Sequence, residues 1–166
     1  MDYLLIGKIV NTHGLKGELR ILSKFEFIDK VFVKGFKFYI GPSKECHIVT
    51  SYRHHKAFEM VTFEGFTNIN DVLYMKGQNV YINKEDLVLN KDEYLIEDLI
   101  GLRVISNNKE KGIIKDIEDN GKNKLIIVDY NGKEVLIPYN NAFINRVDIN
   151  DKIIEINEIE GLFEWK

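Results

Sequence analysis

Short runs of alternating apolar and polar residues, separated by turns rich in glycine and asparagine, decide the fold class of this chain. In Glu18–Leu22, for example, Leu19 and Ile21 alternate with Arg20, which is typical of a strand with one buried face. No segment shows the long helical period that a parallel sheet needs for its covering helices. The pattern therefore predicts an all-β protein built from small barrels or sandwiches.

Six strands and one short helix are predicted in the first half. The apolar run Tyr3–Val10 is predicted to be a strand buried on both faces. Phe58–Phe63 changes phase after Met60, which indicates a bulge or a doubly buried stretch. One or two helical turns are expected after Asn68, a capping residue, and before Gly77. This helix is predicted to cover one end of a barrel.

The second half also has the pattern of short strands. Asn131-Gly132 joins two apolar runs and predicts a type I′ hairpin turn, and Asn120-Gly121 predicts another turn. Pro138 has no amide proton to donate, so we expect it at the end of a strand or on a sheet edge. The predicted strands are Leu102–Ile105, Gly112–Ile117, Leu125–Tyr130, Glu134–Ile137, Phe143–Ile149 and Ile153–Ile156.

The two halves differ in charge, although the whole chain of 166 residues carries a net charge of only −3. Residues 1–84 hold twelve Lys and Arg against eight Asp and Glu, a net +4, and residues 85–166 hold eleven against eighteen, a net −7. We therefore predict domains at 1–84 and 94–166, with the charged stretch 85–93 as the linker. The basic half suits phosphate and the acidic half suits a basic protein, although a chance partition of charge would look the same.

Several function classes lack the residues that they need. The single cysteine, Cys46, cannot form an internal disulfide, which is typical of a cytoplasmic protein. No apolar run approaches the roughly 20 residues of a membrane span, and no signal peptide is indicated. Phosphate loops, dinucleotide fingerprints, nucleophile elbows and metal-ligand spacings are missing, so no cofactor or metal is expected. If the chain were an enzyme, Glu18 and His13 would be the first catalytic candidates.

The segment His13–Glu18 joins two predicted strands. Its glycines, Gly14 and Gly17, suit a tight turn because glycine reaches positive φ at no steric cost. Two interpretations remain open: a hairpin connection with solvated charges, or a loop that contacts RNA. The candidate RNA-binding side chains in or beside the loop are His13, Lys16 and Arg20.

A second basic cluster occupies Ser51–Lys56. It places Tyr52 among cationic residues, including Arg53 and His54, and this composition is used to hold RNA through phosphate contacts and base stacking. The tip of a hairpin has the same composition. The sequence leaves open whether this cluster and Lys16 share one end of a barrel.

Motifs spread along nearly the whole chain carry a resemblance to a known family. The most specific are Gly7, Ile9, the segment His13–Glu18 and Arg20. Further motifs follow in the family's order at Phe63-Glu64-Gly65, Gly77, Glu93-Tyr94, Asp98-Leu99-Ile100-Gly101, Gly112, Gly121-Lys122-Asn123, Val135–Pro138, Val147-Asp148 and Glu160-Gly161-Leu162. On these residues the chain resembles the RimM family of ribosome maturation factors.

The resemblance implies two small β-barrels joined by a short linker. The N-terminal barrel is expected to be six-stranded and similar to a barrel domain of translation factors, and the C-terminal one to be a PRC barrel. The implied function is not enzymatic. Such a factor binds a head protein of the small ribosomal subunit (number nineteen), and it assists maturation of the 30S head and processing of 16S rRNA. We expect a cytoplasmic monomer with no membrane contact.

The resemblance also implies residues that contact the ribosomal protein, and here the chain departs from the family. The family commonly has two tyrosines and then often a tryptophan where this chain has Tyr94-Leu95-Ile96, so an aromatic anchor is replaced by aliphatic ones. Lys124 stands where the family usually has aspartate. The expected contact residues are Tyr94, Leu95, Leu99 and Pro138, and Gly101 is expected to be a structural loop residue, like Gly14 and Gly17 in the first half.

A generic two-barrel RNA-binding or adaptor module is the alternative. It would bind single-stranded RNA without a ribosomal protein, so the identity of the partner discriminates between the two functions. Salt dependence does not discriminate, since both functions use charge.

Overall fold

The computed structural model describes residues 1–119 and 123–157. The chain divides into two compact units, Met1–Lys91 and Asp92–Lys166. This division lies inside the predicted linker 85–93, and the domain bounds 1–84 and 94–166 stay a prediction. The motif Glu160-Gly161-Leu162, the predicted turn at Asn120-Gly121 and the Gly121-Lys122 part of its motif lie outside the described residues. In the described ranges, no helix combines the length and the apolar character needed to cross a membrane.

The first unit contains the six predicted strands. They are β1 (Tyr3–His13), β2 (Glu18–Leu22), β3 (Lys37–Ile40), β4 (Glu45–His55), β5 (Phe58–Phe63) and β6 (Asn79–Asn83). All neighbours are antiparallel, and they form a closed barrel in the order β1-β2-β5-β4-β3-β6. β6 closes the barrel because it pairs with both β1 and β3, with Leu4 opposite Ile82 and Tyr39 opposite Tyr81.

β1 has one buried face, and the prediction of two buried faces was wrong. Its register shifts between Leu5 and Gly7 against β6, and between Ile9 and Asn11 against β2. A bulge changes which face the following side chains occupy. Ile6 and Ile9 are therefore both buried, whereas Leu5 is 55% exposed. The continuous apolar run reflects this change of phase.

β5 is buried on both sides, which is one of the two alternatives that its sequence predicted. Val61 and Phe63 belong to the barrel core, whereas Met60 is fully buried and points to the other side of the strand. Fully burying a side chain of this size stabilises the folded state by roughly 1.5–3 kcal/mol. The core consists of Ile6, Ile9, Leu19, Ile21, Val31, Phe32, Phe38, Ile40, Val49, Val61, Phe63, Val72, Met75, Val80 and Ile82.

Within the described residues, three α-helices of four residues each accompany the strands: α1 (Ile28–Val31), α2 (Ile69–Val72) and α3 (Ile96–Leu99). Only α2 was predicted, because one turn of helix is too short to show a helical period. A 3-10 turn at Lys84–Asp86 overlaps the start of the predicted linker 85–93. Leu87, which follows it, packs against the barrel core.

α2 closes one end of the barrel, as predicted. The side chain of Asn68 accepts a hydrogen bond from the amide of Asn70 (2.9 Å) and caps the helix. Val72 and Met75 are fully buried in the core, the latter from a 3-10 turn that continues the helix. Gly77 then takes a φ of +86°, which ends the segment.

The second unit is a six-stranded sheet in the order β10-β9-β8-β7-β12-β11. β12 pairs with β7 as a parallel neighbour, so the last of the described strands lies inside the sheet. The other pairs are antiparallel. Each predicted strand of this half is present. The strands are β7 (Arg103–Ser106), β8 (Lys109–Asp119), β9 (Lys124–Tyr130), β10 (Lys133–Pro138), β11 (Ile144–Asp148) and β12 (Ile153–Ile156).

Two glycines fix the backbone of this sheet. Asn131 and Gly132 have φ values of +53° and +83°, which confirms the type I′ turn between β9 and β10. At Gly112, any side chain would collide with the carbonyl oxygen of Asp129 on β9, so the strands approach too closely for another residue. The core of the unit consists of Leu99, Leu102, Val104, Ile114, Ile117, Ile126, Val128, Val135, Ile137, Ile154 and Ile156.

Candidate nucleic-acid interface

The loop between β1 and β2 is held against the segment that precedes α2. The amide of Ile69 donates to the carbonyl oxygen of Leu15 (2.9 Å). Gly14 and Gly17 have φ values of +74° and +87°, and a Cβ at Gly17 would lie 3.2 Å from the carbonyl oxygen of Asn68. Backbone conformation favours glycine at both positions, and close packing adds a second reason at Gly17, so the prediction of a tight turn is confirmed.

Three residues lie side by side on the outside of the barrel: Arg20 of β2, Met60 of β5 and Arg53 of β4. Their neighbours Leu19 and Val61 belong to the core, and alternation along a strand places these three on the opposite side. The structure thus brings Arg20 of the first basic cluster next to Arg53 of the second. The sequence had left this proximity open.

Arg53 is held by Glu18 in a bidentate ion pair. Its Nη2 and Nε donate to the two carboxylate oxygens of Glu18 at 2.7 and 2.9 Å. Arg53 keeps half of its side chain exposed, whereas that of Glu18 is 19% exposed. The hydrogen bond from Arg53 holds the pKa of Glu18 below its usual value, so the carboxylate stays charged at neutral pH.

His13 and His55 complete this group. Arg20 Nη2 donates to His13 Nδ1 at 2.8 Å, which requires that nitrogen to be unprotonated because a guanidinium only donates. The His13 and His55 rings lie 6.1 Å apart. Burial, followed by the nearby Arg53 and Lys56, lowers the pKa of His55. We call His13, Arg20, Arg53 and His55 the outer basic face.

His54 lies apart from the outer basic face, on the other side of β4. Its Nδ1 is 2.8 Å from Oε1 of Glu59, which also accepts a hydrogen bond from the Tyr52 hydroxyl at 2.7 Å. Glu59 is 4% exposed, and burial together with this bond raises the pKa of Tyr52 to about 12. Of the two neighbouring candidates, Arg53 and His54, the structure therefore brings only Arg53 together with Arg20.

Lys16 stands between two surface hollows at this end of the barrel. It is exposed, and it lines both hollows together with Thr62. The aromatic hollow, of about 440 Å³, is lined by Lys16, Thr50, Thr62, Phe63, Glu64, Gly65, Phe66 and Thr67. The loop hollow, of about 460 Å³, is lined by His13, Gly14, Leu15, Lys16, Glu18 and Thr62. Sequence reasoning missed Thr62 and Phe66, since neither carries a charge or a motif for binding.

The aromatic wall of the first hollow is backed by His47. The His47 ring stacks on Phe63 at 5.4 Å between centroids and meets Phe66 edge-on at 5.0 Å. Burial lowers the pKa of His47, so this ring is neutral at physiological pH. Among the described residues, its buried Nε2 has no hydrogen-bond partner. The imidazole therefore acts as a packing surface for the two phenyl rings.

In the second unit, the predicted contact residues differ in exposure. Leu95 and Leu99 are 3% and 2% exposed, so both side chains are buried, and Leu99 belongs to the core of the unit. Tyr94 is half-buried and packs against the core. Pro138 is half-buried at the end of β10, as its sequence predicted. Beside it, burial and then the charge interaction with Tyr94 raise the pKa of Tyr139 to about 12.

An apolar patch lies near Pro138 on the outer side of the sheet. Leu136 pairs with Ile127, and Pro138 pairs with Leu125, on the side of the strands opposite to the core residues Val128 and Ile137. Leu136 is 49% exposed. We call Leu125, Ile127, Leu136 and Pro138 the β9–β10 patch. Acidic side chains stand at neighbouring register positions, Glu118 opposite Leu125 and Glu134 opposite Asp129.

Two family models match most of the chain. The RimM N-terminal domain matches residues 4–87, and the RimM PRC barrel domain matches residues 96–162. The chain belongs to the RimM family. This membership confirms the predicted family, the predicted all-β class with a PRC barrel, and the prediction of a ribosome maturation factor rather than an enzyme. Within residues 1–119 and 123–157, no group of three or more His, Cys, Asp or Glu side chains is placed to hold a metal ion.

Two sequence relatives of nearly the same length support the membership. A ribosome maturation factor RimM from Staphylococcus haemolyticus is 40% identical over 164 residues, which cover 96% of this chain and 98% of that protein. One from Exiguobacterium sp. is 36% identical over 169 residues, covering 99% and 98%. A crystal structure of a 16S ribosomal RNA processing protein RimM from Pseudomonas aeruginosa covers 95% of this chain and 98% of its own, with 20% identity and a TM-score of 0.49.

Proposed function

We propose that this chain assists maturation of the 30S head and processing of 16S rRNA in the cytoplasm. It acts as a monomer, and by binding rather than by bond chemistry. The first unit contacts RNA and the second holds the head ribosomal protein number nineteen. The observation that carries the proposal is the convergence of Arg20 and Arg53, from two separate basic clusters, on one outer face beside Lys16.

The first unit has the chemistry of an RNA contact. Its residues include twelve Lys and Arg against eight Asp and Glu up to position 84. Arg20, Arg53 and His55 lie on one side of the barrel, and Lys16 is exposed on the neighbouring loop. Guanidinium and ammonium groups recognise phosphate, and these electrostatic contacts give most of the affinity of proteins for nucleic acid.

The second unit has the chemistry of a contact with a basic protein. Residues 85–166 carry a net charge of −7, and Leu136 of the β9–β10 patch offers exposed apolar surface between half-buried Leu125 and Pro138, with acidic neighbours. Apolar centres with charged rims are typical of protein interfaces. Pro138 and Tyr94 supply surface for the contact, while Leu95 and Leu99 support it from within.

Substitution of Lys16 tests the RNA contact. We expect Lys16→Glu to weaken binding of the full chain to immature 30S subunits, with folding and ribosomal-protein binding retained. Lys34→Glu, at an exposed lysine of the same unit, is the matched control. Neutralising one phosphate contact lowers the slope of log affinity against log salt by about one, so Lys16→Gln should show this change. Unchanged affinity and slope would remove the loop from the function.

Titration of the full chain against the purified head protein, with free RNA as the comparison, tests the second contact. Binding to the protein supports the assembly function. If the chain binds RNA but not the protein, the alternative of a generic two-barrel RNA-binding module is favoured.

A further inference from the structure

The aromatic hollow beside Lys16 combines three kinds of group. Phe66 presents a half-buried ring, which His47 supports from behind. The Thr50 hydroxyl lies 2.8 Å from that of Thr62, so hydroxyl groups line another side. Lys16 supplies an ammonium group at the side shared with the loop hollow. The volume of about 440 Å³ falls in the range of about 300–1,000 Å³ in which small ligands are bound.

These groups fit a nucleotide better than an apolar side chain. An unpaired base stacks on an aromatic ring, its phosphate pairs with a cation, and its ribose hydroxyls bond to polar side chains. An apolar occupant would instead cover the Lys16 ammonium without giving it a partner, which costs free energy. Glu64, the acidic residue of the lining, is able to accept hydrogen bonds from the amino group of a base.

We propose that the aromatic hollow binds one unpaired nucleotide of RNA, with the base against Phe66 and the phosphate on Lys16. The inference rests on the proposed RNA contact of the first unit. The inference adds that the aromatic hollow recognises an unpaired base of single-stranded RNA, whereas the outer basic face contacts only phosphates. The outer basic face lies beside the loop hollow, because His13 belongs to both, so the neighbouring phosphates have cations to meet.

The test uses the full chain and two labelled six-nucleotide RNAs, an oligocytidine and a matched oligomer that lacks bases. We expect Phe66→Leu, which keeps an apolar side chain but removes the ring, to weaken binding of the oligocytidine by roughly five- to a hundredfold. Binding of the abasic oligomer should not change. Phe66→Tyr keeps the ring and should keep the affinity. Tyr74→Leu, at an exposed aromatic residue outside the hollow, is the matched control.

Phe66 also packs against the barrel core, so melting curves must show that each variant is folded. Equal loss for both oligomers, no loss at all, or wild-type affinities that do not depend on the bases would overturn the nucleotide site. Lys16→Gln should weaken both oligomers, since it removes a phosphate contact. Lys16→Glu could still weaken binding to the subunit while Phe66→Leu changes the affinities for the oligocytidine and the abasic oligomer equally. That result would reject the nucleotide site and leave the proposed function standing.

Discussion

The carboxylate of Glu18 on β2 reaches across β5 to accept two hydrogen bonds from Arg53 on β4. The two residues are 35 positions apart in the sequence. The pair joins three strands of the barrel, and it also occupies the donors with which Arg53 would meet a phosphate. If the first unit contacts RNA as proposed, a phosphate and Glu18 compete for the guanidinium group of Arg53.

Glu18→Gln should strengthen RNA binding. Removal of the carboxylate releases Arg53 for phosphate, and because exposed ion pairs are weak, we expect a gain of roughly two- to fivefold. Fluorescence anisotropy with a structured RNA at fixed salt measures it. Asp29→Asn removes the same charge from an exposed position elsewhere in the unit and serves as the control. A gain of equal size in both variants would show that only net charge matters.

The two loop glycines should differ in their effect on stability. Alanine at Gly14 meets only the cost of positive φ, about 1–2 kcal/mol, since no atom lies within 4 Å of a Cβ there. At Gly17 the same cost applies, and the Cβ also presses on the carbonyl oxygen of Asn68. We expect thermal unfolding to give a larger loss for Gly17→Ala than for Gly14→Ala. Equal losses would contradict the close packing at Gly17.

Acidification should have opposite effects on stability and on RNA affinity through His55. Its pKa is lowered in the folded chain, so the unfolded chain binds the proton more readily and folding stability falls as the pH drops below the usual histidine pKa. Phosphate favours the charged form, so RNA affinity should rise over the same range and down through the lowered pKa. Titration of RNA binding from pH 7.5 to 5.5, about the range in which histidine changes charge, measures this. In His55→Gln the rise should shrink.

Two leucines of the second unit should separate folding from binding. Leu99→Ala opens a cavity in the core and should cost about 2–5 kcal/mol of stability. Leu136→Ala, on the exposed β9–β10 patch, should change stability by no more than about 0.5 kcal/mol but weaken binding of the head ribosomal protein. Chemical denaturation and a binding titration on the same samples distinguish these effects. Full affinity in Leu136→Ala would place the contact outside the patch.

Periodicity was sufficient to predict the strands, because each side chain's face depends on its immediate neighbours. The type I′ turn at Asn131-Gly132 was predicted for the same local reason. Periodicity gave the wrong burial for β1, because the bulges of this strand depend on its neighbours β2 and β6 and not on its own residues. The burial of Leu95 likewise depends on packing that only the folded chain shows.

The charged residues of the candidate site could be predicted from the sequence, but their arrangement in space could not. His13, Lys16, Arg20 and Arg53 were selected because their side chains carry the donors that RNA needs. Their grouping requires β2 and β4 to flank β5, an arrangement that sequence order does not state. Phe66 was not predicted as a site residue, because an isolated phenylalanine in a sequence is typical of a core residue. Only the folded structure shows that it lines the aromatic hollow.

The pairing of β6 with β1 has a consequence for folding during synthesis. A ribosome making this chain releases β1 long before it releases Asn79–Asn83, so one edge of β1 has no partner through most of the synthesis of the first unit. Contacts so distant in sequence form slowly, and an unpaired strand edge can pair with other chains. A factor proposed to assist ribosome assembly is thus itself exposed to wrong strand pairing during its synthesis, until β6 emerges and pairs with β1.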